Sequence, residues 1–113
     1  MARGTAAEVA GAGASAKAAQ RDWADLRPIR RGRVLTTIAE GLRADPARFA
    51  RIDQAETGRR LATCLGEVEP AAQYFEFYAG FVNTMGGEVI DLGANYHAFT
   101  RHEPHGVVEI ITP

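Results

Sequence analysis

The chain has 113 residues, 46% of them apolar and 24% charged, which is the make-up of a folded domain and excludes a disordered tail or a fibre. Thirteen basic residues against fourteen acidic ones leave a net charge of -1, so no global field draws the chain to nucleic acid or to an anionic membrane. Cys64 stands alone and excludes an internal disulfide, and no stretch approaches the roughly 18 apolar residues of a membrane span. A cytoplasmic chain without nucleic-acid or membrane partners is the expectation.

Helices come first. Thr5-x-x-Glu8 is a capping-box pattern, and the alanine-rich run behind it carries a helix as far as Trp23. Gly11 and Gly13 weaken that helix by roughly 1 kcal/mol each relative to alanine. A second helix opens at Pro28, whose missing N–H costs nothing in a first turn, and sets Val34, Leu35, Ile38, Ala39 and Leu42 on one face. Asp45 and Pro46 make an N-cap and a first helical residue for a third helix, with Phe49 and Ile52 as its buried stripe and Gly58 as its end. Leu65, Val68, Ala72, Phe75, Ala79 and Val82 recur at spacings of three and four, which predicts a longer helix to about Gly86-Gly87. Pro70 belongs in its first turn or kinks it.

The period then changes. Glu88–Leu92, Gly93-Ala94-Asn95 and Tyr96–Arg101 read as strand, turn and strand, and Val107, Val108, Ile110 and Ile111 as a third strand buried on both faces. The expected fold is mainly α, about four helices followed by a β-hairpin and one terminal strand. A lone hairpin is marginal in water, and a strand buried on both faces needs neighbours, so the chain reads as a section of something longer.

Most single chemical signals are weak. Gly11-x-Gly13-x-x-Ala16 matches a dinucleotide fingerprint, but that motif needs a strand feeding the glycines, and the residues before it are helical; a small-residue face for close helix approach is the better reading. His102-Glu103-Pro104-His105 has the wrong spacing for a helical zinc pair and carries a proline, so no metal site is expected. The neighbours of Cys64 supply no base or positive charge, which favours a packed helix cysteine. Arg27, Arg30, Arg31 and Arg33 lack interleaved aromatics and read as a solvated face or as partners of carboxylates elsewhere. Tyr74, Phe75, Phe77, Tyr78 and Phe81 surround much of their helix, so that helix is expected to be sandwiched.

Taken in order, Trp23-x-x-Leu26, Arg30-Arg31-Gly32-Arg33-Val34-Leu35, Glu56-Thr57-Gly58-Arg59, Tyr78-Ala79-Gly80, Gly87-Glu88 and the run from Arg101 to Pro113 resemble the N-terminal part of the NAD(P)-dependent aldehyde dehydrogenase superfamily. The resemblance covers the chain from about Ala6. It implies an α/β parent fold with a Rossmann-like cofactor domain, of which residues 1–87 are the helical N-terminal part. Residues 88–103 would be the hairpin of a bridging element that forms a homo-oligomer, and 104–113 the first strand of the Rossmann-like sheet. Ile111, Thr112 and Pro113 match a segment beside the cofactor ribose and are the implied NAD or NADP contacts. The helix with Val68, Ala72, Phe75 and Phe81 resembles one that lines the aldehyde tunnel. The family's nucleophilic cysteine and general-base glutamate match nothing here, so the chain alone is expected to be inactive and not to bind cofactor. Arg59 stands where the family usually has lysine, and Glu56 where aspartate is common. The competing expectations are a helical interaction module that associates with full-length relatives through residues 88–113, and an independent four-helix domain with a cooperative melt.

Overall fold

The computed structural model of the chain describes residues 4–111. Four helices and one short antiparallel hairpin follow in order: α1 (Ala6–Asp25), α2 (Pro28–Ala44), α3 (Pro46–Thr57), α4 (Leu61–Phe81), β1 (Val89–Ile90) and β2 (Ala98–Phe99). They fall into two units, one of residues 27–83 and one of residues 4–26 with 84–111.

In the first unit, α2 and α3 both pack on α4. Pro28 and Pro46 occupy first-turn positions as expected, and the Asp45 carboxylate accepts from the Arg48 N–H at 3.1 Å to cap α3. Gly58, with φ of 72°, ends α3, its N–H donating to the Gln54 carbonyl at 2.9 Å. The buried set is made of small side chains: Ala39, Ala50, Cys64, Val68 and Ala72. Leu42 and Phe49 lean on the cluster of Ala50, Cys64 and Val68.

Small residues at the seam let helix backbones approach closely. A Cβ built on Gly32 would sit 2.8 Å from the Ala79 carbonyl oxygen, so glycine is what allows α2 to lie against α4 there. Two consequences depart from the periodicity reading. Ile52 is 48% exposed and Ala50 takes its place in the core; Val34 and Ile38 also face outward while Ala39 is sealed. The fourth helix starts at Leu61, four residues before the first periodic leucine, so Pro70 lies in its interior rather than in its first turn.

In the second unit, Thr5 and Glu8 close the expected capping box: the Glu8 N–H donates to Thr5 Oγ1 at 3.3 Å, and the Thr5 N–H donates to the Glu8 carboxylate at 2.7 Å. That bond from the Thr5 backbone holds the Glu8 carboxyl below its usual range. Alanine propensity rather than burial sustains α1, which has no buried residue. Gly11 and Gly13 lie inside it, and among the described residues nothing comes within 4 Å of a Cβ built at either.

The hairpin pairs Val89 with Phe99 and Ile90 with Ala98. Its strands are two residues each, shorter than the runs read from the sequence, because pairing stops where Gly93 (φ 95°) turns the chain. Gly87 stands so close to Thr100 that a Cβ would lie 1.8 Å from the Thr100 carbonyl oxygen. The Thr100 N–H donates to the Glu88 carbonyl at 2.9 Å, and the Glu88 N–H to Thr100 Oγ1 at 2.8 Å. Residues 100–111 form no regular element, so the strand expected from Gly106 is not formed within its described part. A strand is defined by its neighbour, and no described strand pairs with these residues.

Candidate functional site

The helix α4 (Leu61–Phe81) organises the first unit. Its sequence contains Glu67, Glu69 and Glu76 but no lysine or arginine, so its carboxylates must find cations on other segments. Two arginines supply them. Arg43, in the last turn of α2, donates from Nε and Nη2 to Glu69 at 2.9 and 2.7 Å and from Nη1 and Nη2 to Glu76, the latter at 2.8 Å. The guanidinium thereby spans the helix from the residue before Pro70 to a point nearly two turns beyond it. Both glutamates are held below the ordinary carboxylate range, chiefly by their bonds to Arg43.

Arg59, just after Gly58, forms the second bridge. Its Nη1 and Nη2 reach Glu67 at 2.6 and 2.8 Å, and Nη2 also reaches Asp53 at 2.7 Å. Arginine in place of the expected lysine therefore matters, because a planar fork serves two carboxylates at once while an ammonium offers a point charge. The Cys64 thiol donates to Asp53 and is 1% exposed. Burial, followed by the Asp53 carboxylate, pushes the thiol pKa up, which disfavours the thiolate a nucleophile requires. Cys64 is a packed core residue, as its neighbours in the sequence suggested.

Packing separates two faces of α4. Val68 and Ala72 are sealed inside the unit and Phe75 is half-buried, so of the four residues named on the helix that resembles a tunnel-lining one, Phe81 is the most exposed, at 46%. The open face instead carries Tyr74 (67% exposed), Phe77 (59%) and Tyr78 (56%). These three, with Pro70 and Gln73, line a hollow of about 380 Å³. The rings of Phe77 and Tyr78 meet edge to face at 5.2 Å and 87°, and Phe77 stacks on Phe81 at 5.6 Å. The signal for this face was present in the sequence as the spacing 74, 77, 78, 81, one helical stripe.

The remaining sequence candidates are not drawn together. Ile111 is 87% exposed; Thr112 and Pro113 lie outside the described residues. His102 and His105 are exposed, and among the described residues no group of three histidine, cysteine or acidic side chains could hold a metal ion. No described helix is long and apolar enough to cross a membrane.

Comparison with known proteins places this architecture. The sequence model of the aldehyde dehydrogenase family matches residues 1–113. A betaine aldehyde dehydrogenase of Mesorhizobium japonicum is 42% identical over 94 residues, 82% of this chain and 19% of the relative. A betaine aldehyde dehydrogenase of Brucella ovis is 36% identical over 95 residues, 83% of this chain and 19% of the relative. Among solved structures, PnpE in complex with nicotinamide adenine dinucleotide superposes with a TM-score of 0.75 at 28% identity, covering 82% of this chain and 19% of that one. The chain thus spans about a fifth of the length of the relatives it matches. With a family match over its whole length and a shared fold, the chain belongs to the aldehyde dehydrogenase family.

Proposed function

We propose that these residues are the N-terminal part of an NAD(P)-dependent enzyme that oxidises an aldehyde to a carboxylic acid. The substrate class is a small aldehyde bearing a quaternary ammonium group. The observation that carries this reading is the 42% identity to a betaine aldehyde dehydrogenase across 82% of the chain. The printed ligand of PnpE, nicotinamide adenine dinucleotide, supports the cofactor class.

The described residues do not by themselves fit a dinucleotide. Its pyrophosphate needs a strand leading into a glycine-rich helix N-terminus, whereas Gly11 and Gly13 lie within α1 and Ile111 is solvent-exposed outside any strand. No chemical step is therefore assigned to this segment. The oxidation requires a thiolate that attacks the carbonyl carbon and a base that activates water, and the buried, protonated Cys64 suits neither role. The contribution of this segment is positional: α4, braced by Arg43 and Arg59, presents an aromatic face at a fixed angle. Alone, the chain is catalytically incompetent. Purified chain mixed with betaine aldehyde and NAD or NADP is expected to give no reduced nicotinamide above a blank, and turnover would overturn that statement. Absence of betaine aldehyde oxidation by an enzyme containing these residues would overturn the reaction itself.

We further propose that the hairpin within residues 88–103 pairs with a second copy. The supporting observation is exposed apolar surface on both short strands, with Val89 90% and Phe99 73% exposed. The same surface, with Ile110 and Ile111, favours the second reading of a module that docks on full-length relatives through residues 88–113. Light scattering of the chain, alone and mixed with a full-length relative, separates them. Self-association supports the first, mixed association the second, and a monomer indifferent to the relative overturns both.

A further inference from the structure

We infer that α4 contains a hinge at Gly66 and Pro70, and that the forked guanidinium of Arg43 locks it. Pro70 lies inside a helix that runs from Leu61 to Phe81. A proline there has no N–H to donate to the carbonyl four residues earlier, and its ring crowds that carbonyl. The carbonyl belongs to Gly66, the residue type whose backbone resists bending least. A missing rung and a glycine one turn apart make this the weakest stretch of the helix. The packing divides at the same point. Before Pro70, Cys64 and Val68 join Ala50 of α3 in one buried cluster, on which Leu42 of α2 leans, and Glu67 is held by Arg59, which follows α3. Beyond Pro70, α2 takes over, with Gly32 against the Ala79 carbonyl. The two halves of α4 thus rest mainly on different helices, which touch each other far less than either touches α4. Arg43 ties them together. Its Nε and Nη2 donate to Glu69, the residue before Pro70, at 2.9 and 2.7 Å, and Nη2 also donates to Glu76 at 2.8 Å. Glu69 and Glu76 lie two turns apart on one face of the helix. A planar fork reaches both only while the helix between them keeps its line. With Leu42 seated on the first half and its neighbour Arg43 gripping the second, the end of α2 fixes the angle at Pro70.

The test is amide hydrogen exchange of the enzyme containing these residues, read by mass spectrometry on either side of Pro70, as a double-mutant cycle of Arg43→Gln and Pro70→Ala. Arg43→Gln is expected to speed exchange over residues 74–81 roughly fivefold and over residues 61–68 less than about twofold. Pro70→Ala restores the N–H and removes the ring, so in that background Arg43→Gln should speed exchange over residues 74–81 less than about twofold. An ion pair that merely adds stability gives the same fold-change in both backgrounds, and that result would overturn the inference. So would equal acceleration on both sides of Pro70. Arg43→Lys keeps the charge without the fork and should recover less than about half of the lost protection; full recovery would show that charge alone holds the helix and would equally overturn the lock. Should Arg43→Gln fail to accumulate as folded protein, Arg43→Lys compared in the two Pro70 backgrounds carries the same cycle. Exchange is read without aldehyde or cofactor, so the hinge stands or falls independently of the reaction proposed above.

Discussion

Replacing Gly32 by alanine tests the seam on which the first unit depends. The new Cβ would stand 2.8 Å from the Ala79 carbonyl oxygen and 3.0 Å from Val82 Cγ2, several tenths of an ångström inside ordinary contact. The oxygen is backbone and cannot rotate away, so α2 and α4 must part. Overpacking of this kind costs about 1–3 kcal/mol. Alanine in a helix interior recovers about 1 kcal/mol relative to glycine, which leaves a net loss centred near 1 kcal/mol. Gly41, in the same helix with nothing within 4 Å of its built Cβ, provides the control. Gly41→Ala keeps the propensity gain without the clash and should stabilise by about 1 kcal/mol. With a urea slope near 1 kcal/mol per molar for a small unit, the midpoints of the helical signal should move about 1 M in opposite directions. If both substitutions raise the midpoint, α2 does not lie against α4 as described and the packing argument fails.

Gly87→Ala would place a Cβ 1.8 Å from the Thr100 carbonyl oxygen, so the cross-strand signals between Val89 and Phe99 should vanish while the helical signal persists. The Cys64 thiol, buried and raised in pKa, should react with iodoacetamide at pH 8 at least about tenfold more slowly than a free thiol and recover the free rate in denaturant; fast labelling of the native chain would contradict its burial. Glu69, Glu76 and Asp53 have folded pKa values below their unfolded ones. Their contribution is therefore present above the unfolded carboxylate range and is lost as pH falls through the depressed values. Glu76→Gln should flatten that acid-side loss, measured as the urea midpoint against pH, and an unchanged slope would show that the Arg43 bridge carries no linkage.

Signals in the sequence differ in how local they are, and this decided which were legible. Proline at a first helical position, aspartate at an N-cap and glycine past a C-terminus act within one turn, so the ends of α2 and α3 could be read directly from Pro28, Asp45-Pro46 and Gly58. The start of α4 could not. Its N-cap, Arg60, makes no side-chain capping bond, and the first apolar residue in register is Leu65, so the sequence reads as a helix beginning a turn late, with Pro70 in its first turn or kinking it. The family resemblance rested on motifs spread from Trp23 to Pro113, and the match over residues 1–113 agrees with it. The Arg43 and Arg59 bridges depend on pairs separated by six to thirty-three positions, which no local pattern encodes.

On α4 the periodic set Val68, Ala72 and Phe75 faces the interior of the unit, and the aromatic set Tyr74, Phe77 and Tyr78 does not. Periodicity marks an apolar stripe but does not say which of two stripes is covered, and α4 is apolar on both sides: Val68, Ala72 and Phe75 on one, Tyr74, Phe77 and Tyr78 on the other. A hydrophobicity ranking would bury the larger set, since aromatic rings remove more surface from water. The fold does the reverse. Gly32, Ala39 and Ala72 let the backbones of α2 and α4 approach, and a close seam has room for small side chains only. Close packing thus selects Ala72 for the inside and leaves Tyr74, Phe77 and Tyr78 exposed among the described residues.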